Sequence, residues 1–419
     1  MYRFLAEESP IFRGDGAVEQ KAVRSGDSYW RDTGPAPLRC PPLQETTRCE
    51  SLIIGGGVTG ALIADALSRA GLDVIVVDQG AIGLGSTAAS TGLLQYEVDS
   101  PLVELIRKVG EADAVLAYRR GLQAIDELEA LSSELGLQDN FARRSTLCLA
   151  SSLTDVPELF REFECRRDFG FAVQWLTPQL LKEICGIEAP AALRSEGDAE
   201  VDPYRLTQEL IRHAQDQGAR TFGETKITNL YEGPKEVVAT TPQGEIVAKS
   251  VIVATGYFAH AFLHDSRVTL KTTYATVGTS PVPENIWPDR SLIWETARPY
   301  FYARQTPDGH AMIGGEDTAH ANDHVNEDLL AHKTALLTQR FQRLFPGSEF
   351  QPAHRWAGTF AETNDGLPFI GLPKGRERIF AALGYGGNGI TFSMIAARLL
   401  ADLVVGRSNA EEAVFSFER

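Results

Sequence analysis

The chain has 419 residues, 43% of them hydrophobic, enough for large cores shared by two domains and too apolar for a disordered chain. Its formal net charge of −16 at pH 7 opposes nucleic acid and anionic membranes, so the expected partner is a small molecule. No apolar run approaches the roughly 20 residues that span a bilayer, residues 1–8 lack a secretory pattern, and Cys40, Cys49, Cys148, Cys165 and Cys185 form no C-x-x-C pair, which together predict a cytoplasmic protein with reduced thiols.

Residues 1–44 form a leader, with Ser28-Tyr-Trp-Arg31 and Pro35-Ala-Pro37, expected to drape over the core with Tyr29 and Trp30 packing at an interface. An unbroken run then reads as strand, glycine turn, helix and strand. Residues 51–54 are apolar and β-rich, Gly55-x-Gly57-x-x-Gly60 follows, 58–70 has apolar positions at helical spacing, and the strand 74–77 ends on Asp78. This is the pattern of a dinucleotide site. Gly55 permits the tight turn, Gly57 lets backbone approach a pyrophosphate, and Gly60 brings helix close to strand. Val58 and Thr59 open the helix, whose unpaired N–H groups and positive dipole end favour the phosphates. Asp78, eighteen residues after Gly60 and followed by Gln79, stands where a carboxylate accepts hydrogen bonds from an unphosphorylated ribose.

Gly83-Leu-Gly-Ser-Thr-Ala-Ala-Ser-Thr-Gly92 is a run of small and hydroxyl residues that suits close wrapping of a polar ligand and equally suits an ordinary surface loop. Helical periodicity marks 101–136 and 178–185, and Asp202 caps a helix that opens on Pro203 and runs to 217. Short strands are expected at 220–222, 227–232, 237–241 and 246–248. A buried strand over 250–256 ends on Thr255-Gly256, which suggests a second passage of chain over the same nucleotide. From 267 to 350 the pattern changes to strands at 276–281, 292–295, 300–305 and 310–315, an antiparallel sheet with a turn at Thr306-Pro-Asp-Gly309, followed by a helix at 329–345.

On the strand 300–305, period-two alternation puts Tyr300, Tyr302 and Arg304 on one face. Either this face lines a pocket, with rings flanking an amine and Arg304 holding a distant acidic group, or Arg304 forms a salt bridge on the outer side of the sheet. His320-x-x-x-His324, near Glu316 and Asp317, is the nearest approach to a metal pattern; with no third ligand at the right spacing it reads as a solvated loop, and no metal is expected. His260 and His264 read as structural caps. The tail carries Trp356-Ala-Gly-Thr-Phe360, Asp365-Gly-Leu-Pro-Phe-Ile-Gly371, a strand at 379–383, Gly384-Tyr-Gly-Gly-Asn-Gly389 and a final helix to about 405. A glycine run opening a helix again suits an anion or a polar ring.

The fingerprint with Asp78, the loop 85–92, Ala254-Thr-Gly256, the Asp365 motif and the 384–389 run occur in the order and spacing of the D-amino acid oxidase-like (glycine oxidase, sarcosine oxidase) FAD-dependent oxidoreductases, which the chain resembles over about residues 48–406. Leu94-Gln-Tyr-Glu-Val-Asp99 and Trp356-Ala-Gly358 look most similar to the γ-glutamylputrescine oxidoreductase branch. The resemblance implies an α/β fold: a Rossmann-type FAD-binding domain (45–100, 196–262, 355–419) interleaved with an antiparallel-sheet substrate domain (101–195, 263–354), after an N-terminal extension of 1–44. It implies extended FAD, with pyrophosphate at Gly55, Gly57 and Gly60, ribose on Asp78, Ser86, Thr87, Ser90, Thr91 and Gly92 along the flavin, and Ile227 near adenine. Thr255 and Gly256 join this site, and Gly386, Gly387, Asn388, Gly389 and Ile390 meet the isoalloxazine. Asp78 replaces the glutamate more usual in the family.

Other departures bear on chemistry. Gly358, seven residues before Asp365, stands where sarcosine oxidases carry a flavin-linked cysteine, and the loop 86–92 lacks the flavin-linked histidine of dimethylglycine-type enzymes; non-covalent FAD is implied. Phe360, five residues before Asp365, replaces the arginine that grips an α-carboxylate in glycine and D-amino acid oxidases. Met312 falls where monomeric sarcosine oxidase has an oxygen-assisting lysine, so of the two acceptor classes, O₂ and a quinone or carrier, O₂ is expected to be the poorer. The expected reaction is oxidation of the C–N bond of an amine or N-substituted amino acid by hydride transfer to flavin, with Tyr302 and Arg304 as candidate active-site residues and larger amines preferred to glycine or D-alanine. Two other readings stay open: C–OH oxidation, as in glycerol phosphate dehydrogenase relatives, and a non-catalytic flavoprotein acting as an assembly partner.

Overall fold

The computed structural model of the chain describes residues 12–13, 24–258, 267–287, 289–319, 325–409 and 411–419. Two sheets organise them. The first has a parallel centre, ordered Ile379–Leu383, Glu245–Val253, Thr47–Ile54, Val74–Val77 and Arg220–Phe222. Val74–Val77 is buried at all four positions, as a strand covered on both faces should be. Alternation decides which core each residue joins: Ile53, Val74, Val76 and Ile252 pack with residues of the helices Val58–Arg69, Pro203–Asp216 and Gly389–Val404. Leu52, Ile54, Ile75, Val77 and Val253 point the other way, against Leu230, Val237, Ala239 and Phe417.

The segment expected as two strands, 246–248 and 250–256, is the single strand Glu245–Val253. Its edge changes partner midway, from antiparallel Val237–Thr240 to parallel Ile379–Leu383, with exposed Lys249 at the changeover. The expected helix over 101–136 is two, Leu102–Val109 and Glu111–Glu134, broken where Gly110 takes φ +89°. Asp202 caps as expected, its Oδ1 accepting from the amides of Tyr204 and Arg205 at 2.8 and 3.0 Å.

The second sheet has ten strands, in the order Arg24–Asp27, Pro352–Thr363, Val268–Pro281, His310–Ala319, Phe301–Gln305, Leu292–Glu295, Phe141–Leu149, Ala192–Val201 and Leu93–Leu94, with Val173–Leu176 on a side branch. All its pairings are antiparallel except that of Leu292–Glu295 with Phe141–Leu149. The helix Glu327–Leu344 covers it through Leu330, Leu337 and Phe341. The strands Ala192–Val201 and Pro352–Thr363 of this sheet span positions 196 and 355. Part of the leader belongs here too: Arg24–Asp27 pairs with residues 355–358 as an edge strand, and Trp30 is buried.

Among the described residues no helix is long and apolar enough to cross a membrane, and no group of three or more His, Cys, Asp or Glu is placed to hold a metal ion. All five cysteines are free thiols. His260, His264, His320 and His324 lie outside the described residues.

Candidate active site

A cavity of about 550 Å³ runs from the glycine turn of the first sheet to the face of the second. At the turn, Gly55 has φ +113° and a Cβ there would strike the carbonyl of Ala254, while a Cβ at Gly60 would strike the carbonyl of Gly55. Those two glycines bring strand and helix together. Gly57 differs, because it lines the cavity and a Cβ there would meet only Thr87 Oγ1, at 3.0 Å. The amide of Val58 donates to that same hydroxyl at 2.9 Å, which fixes the loop against the helix start. Asp78 accepts from the amides of Gly56 (2.7 Å) and Gly80 (2.8 Å). Burial pushes its carboxyl pKa up and these two donors pull it back. Each oxygen keeps acceptor capacity beyond these bonds, and Asp78 lines the cavity.

Along the middle of the cavity, the short helix Ser86–Ala89 and the residues after it are held by two indoles. Trp356 Nε1 donates to the carbonyl of Ala89 at 2.8 Å, and Trp30 Nε1 to that of Ser90 at 2.6 Å. On the far side, Asn388 Nδ2 donates to the carbonyls of Gln95 (3.1 Å) and Glu97 (2.7 Å), and the amide of Gly387 donates to Asp99 Oδ2 at 2.7 Å. The glycine run and the segment 95–99 therefore form one wall. The second sheet closes the end with Thr273, Trp294, Tyr300, Tyr302, Asp317, Phe360 and Glu362. Tyr302 lies over Gly314, where a Cβ would collide with its ring. Its phenol is pushed up to about 12 by burial, so it stays protonated. Burial, with Asp99 and Glu362 nearby, pushes the Asp317 carboxyl up to about 6.

A family model described as FAD dependent oxidoreductase (DAO) matches residues 50–403. The chain belongs to this family. A glycine oxidase of Geobacillus kaustophilus is 26% identical over 405 residues, covering 89% of this chain and 98% of that protein. A crystal structure of glycine oxidase from the same species superposes with a TM-score of 0.76 over 89% of this chain and 99% of its own. The putative Rieske 2Fe-2S iron-sulfur protein YhfW of Bacillus subtilis is 24% identical over 408 residues, 96% of this chain and 77% of that one. L-proline dehydrogenase from P. horikoshii shares the fold, with a TM-score of 0.74 and 22% identity over 90% of this chain and 98% of its own.

The protein is thus an enzyme, an FAD-dependent oxidoreductase, and the cavity fits its cofactor: a glycine-lined opening at Gly57, a carboxylate at Asp78 and a slot between two chain segments beyond them. Gly55, Gly57, Val58, Thr59, Asp78 and Gln79 line it, as do Ser86, Thr87, Ser90, Thr91, Ile227, Thr255 and Gly256, and all of Gly386, Gly387, Asn388, Gly389 and Ile390. Gly60 and Gly92 do not; the first sits beneath the turn and the second, at φ +72°, offers its carbonyl to Arg304.

Arg304 corrects the expectation placed on it. It is 1% exposed and does not line the cavity. Its Nη1 donates to the carbonyls of Thr91 (3.1 Å), Gly92 (2.9 Å) and Val201 (3.1 Å), Nε lies 3.4 Å from a Glu200 oxygen, and the guanidinium stands 5.6 Å from the Trp30 ring centre. It is neither a pocket cation nor an outer salt bridge. Alternation places it on the face of Tyr302, but two residues further the strand has passed from the cavity to beneath the loop 90–92. Met312 is fully buried and clusters with Trp30, Ala89 and Trp356; of these Ala89 lines the cavity and Met312 does not.

Sequence reasoning missed Asp99, Asp317, Glu362, Trp294, Tyr257 and Tyr385, all of which line the cavity. Glu362 had a signal, because Gly358, Phe360 and Glu362 alternate along one strand and all three line it. Asp99 had none, lying outside any helix or strand.

Proposed function

We propose that this enzyme oxidises the C–N bond of an amine or N-substituted amino acid. The observation that supports this reading most is the charge of the cavity. Of the described lining residues only Lys226 is basic, and it adjoins Thr225, whose amide bonds the carbonyl of Asp78 at the nucleotide end. The far end holds Asp99, Asp317 and Glu362. Among the described lining residues there, a phosphorylated alcohol finds no cation, and with Phe360 in the lining a simple α-carboxylate finds no guanidinium to grip it. An amine meets acceptors and ring faces instead.

Bound FAD supplies the two-electron sink, taking hydride from the carbon next to nitrogen, and the chain supplies position and electrostatics. When FAD is bound, Gly55, Gly57, Val58 and Thr59 would hold its pyrophosphate and Asp78 its ribose, and Ser90, Thr91 and residues 386–390 would border the flavin. The sheet face presents the substrate: Tyr302, a neutral phenol 3.5 Å from Thr273 Oγ1, keeps its proton and orients by hydrogen bonding. The amine enters neutral, its C–H bond breaks as the nitrogen lone pair closes a C=N bond, the nitrogen loses a proton to water, and hydrolysis gives a carbonyl compound and the freed amine or ammonia. The electrons leave to O₂ or to a quinone or carrier. Free thiols fit a cytoplasmic setting.

Under anaerobic conditions an amine should bleach the flavin and release a carbonyl product; bleaching by glycerol 3-phosphate and by no amine would assign C–OH oxidation instead. The described lining contains neither cysteine nor histidine, which supports the reading that the cofactor is held without a covalent bond. Acid precipitation should leave a colourless pellet and all the flavin in solution, and a yellow pellet would refute this.

A further inference from the structure

We propose that the substrate end of the cavity selects an amine that carries a second cationic group, a diamine-like dication, in preference to an amino acid. The proposal rests on the C–N reading above. Three segments far apart in sequence deliver carboxylates to one place: Asp99 from the wall beside the glycine run, Asp317 from His310–Ala319, and Glu362 from Pro352–Thr363. Glu362 is answered by Lys271 Nζ at 2.6 Å, and Asp99 by the Gly387 amide at 2.7 Å. Arg298, exposed, lies 3.1 Å from the Tyr300 ring centre and faces the acids from outside the lining. The Asp317 carboxyl has Thr273 as a hydrogen-bonding neighbour, and its Oδ1 is buried. Asp99, Asp317 and Glu362 outnumber Lys271 and Arg298, the two cations that face them, on a cavity that the family's chemistry requires a substrate to enter.

The chemistry says which part of the ligand answers it. The reacting nitrogen must be neutral to release hydride from its neighbouring carbon, so it makes no ionic anchor. A second ammonium does, pairing with Asp317 while Trp294, Tyr300 and Tyr302 offer ring faces to the charge. A carboxylate at that position meets Asp99, Asp317 and Glu362 and is repelled.

The test uses the FAD-loaded enzyme with three probes of matched length: 1,4-diaminobutane, butylamine and 4-aminobutanoate. Anaerobic flavin reduction gives their apparent Kd, and calorimetry with a bis-quaternary butane-1,4-diammonium, which has no lone pair to react, gives binding alone. The diamine should bind about tenfold or more tighter than butylamine, with 4-aminobutanoate weakest. Asp317→Asn should erase the diamine's advantage over butylamine, and Asp317→Glu should restore it. The advantage should also fade as pH falls through about 6, where Asp317 takes a proton, with Asp99, Glu362, Lys271, Arg298 and Tyr302 as the other charged or titratable groups around it. Equal or better binding of butylamine or 4-aminobutanoate, or an Asp317→Asn enzyme that still discriminates, overturns the proposal. Tight Asp317-dependent binding of the bis-quaternary probe without flavin reduction by any amine would support selection and overturn the C–N reading.

Discussion

Gly57→Leu is expected to give a folded protein that holds no FAD. Gly57 has φ −78° and ψ −175°, ordinary extended backbone for any residue, and a Cβ there has one neighbour, Thr87 Oγ1 at 3.0 Å. The chain therefore tolerates the side chain, but its branches extend into the cavity beside the amides that begin the helix Val58–Arg69. That space is where backbone must approach a pyrophosphate. FAD affinity should fall by more than about a hundredfold, on the order of 3 kcal/mol, while circular dichroism and the unfolding temperature match those of FAD-stripped native protein. Gly60→Ala makes the contrast, since its methyl would collide with the Gly55 carbonyl; it should lower the yield of folded protein itself. A Gly57→Leu protein purified with a full complement of flavin would show that the pyrophosphate does not lie there.

Arg304→Ala should damage stability and flavin retention together, without a selective effect on acidic substrates. The substitution strips donors from four backbone carbonyls, those of Thr91, Gly92, Val201 and Gln305, and leaves Glu200 with Arg144, at 2.8 Å, as its remaining cation among the described residues. Removing one partner from a buried ionic network of this kind costs about 3–5 kcal/mol. Two of the carbonyls belong to Thr91 and Gly92, and Thr91 lines the cavity, so the loop loosens where it borders the flavin. A lower unfolding temperature with faster flavin loss is expected; unchanged stability with a raised KM confined to acidic amines would return Arg304 to the pocket.

The nucleotide half of the site was legible because each residue there has a local task. The tight turn, the close helix and the terminal acid follow from Gly55, Gly60 and Asp78 whatever the rest of the chain does. The Asp202 cap is local in the same sense. The substrate half was not, since its acids converge from three segments that only the tertiary fold brings together. Arg304 shows the limit of periodicity: alternation named its face correctly, yet the point at which the cavity ends depends on the loop crossing that face. The strand Arg24–Asp27 was unreadable for a similar reason, its partners lying at 355–358. Glu245–Val253 was split because exposed Lys249 interrupts its apolar run, although the strand continues there to a new partner.

The most direct measurement of the central claim is the rate of anaerobic flavin reduction by 1,4-diaminobutane, compared with the same compound deuterated at both carbons that bear nitrogen. If hydride leaves the carbon next to nitrogen, the deuterated substrate should reduce the flavin several times more slowly at saturation. Equal rates for the two, or a flavin that only an alcohol reduces, would contradict it.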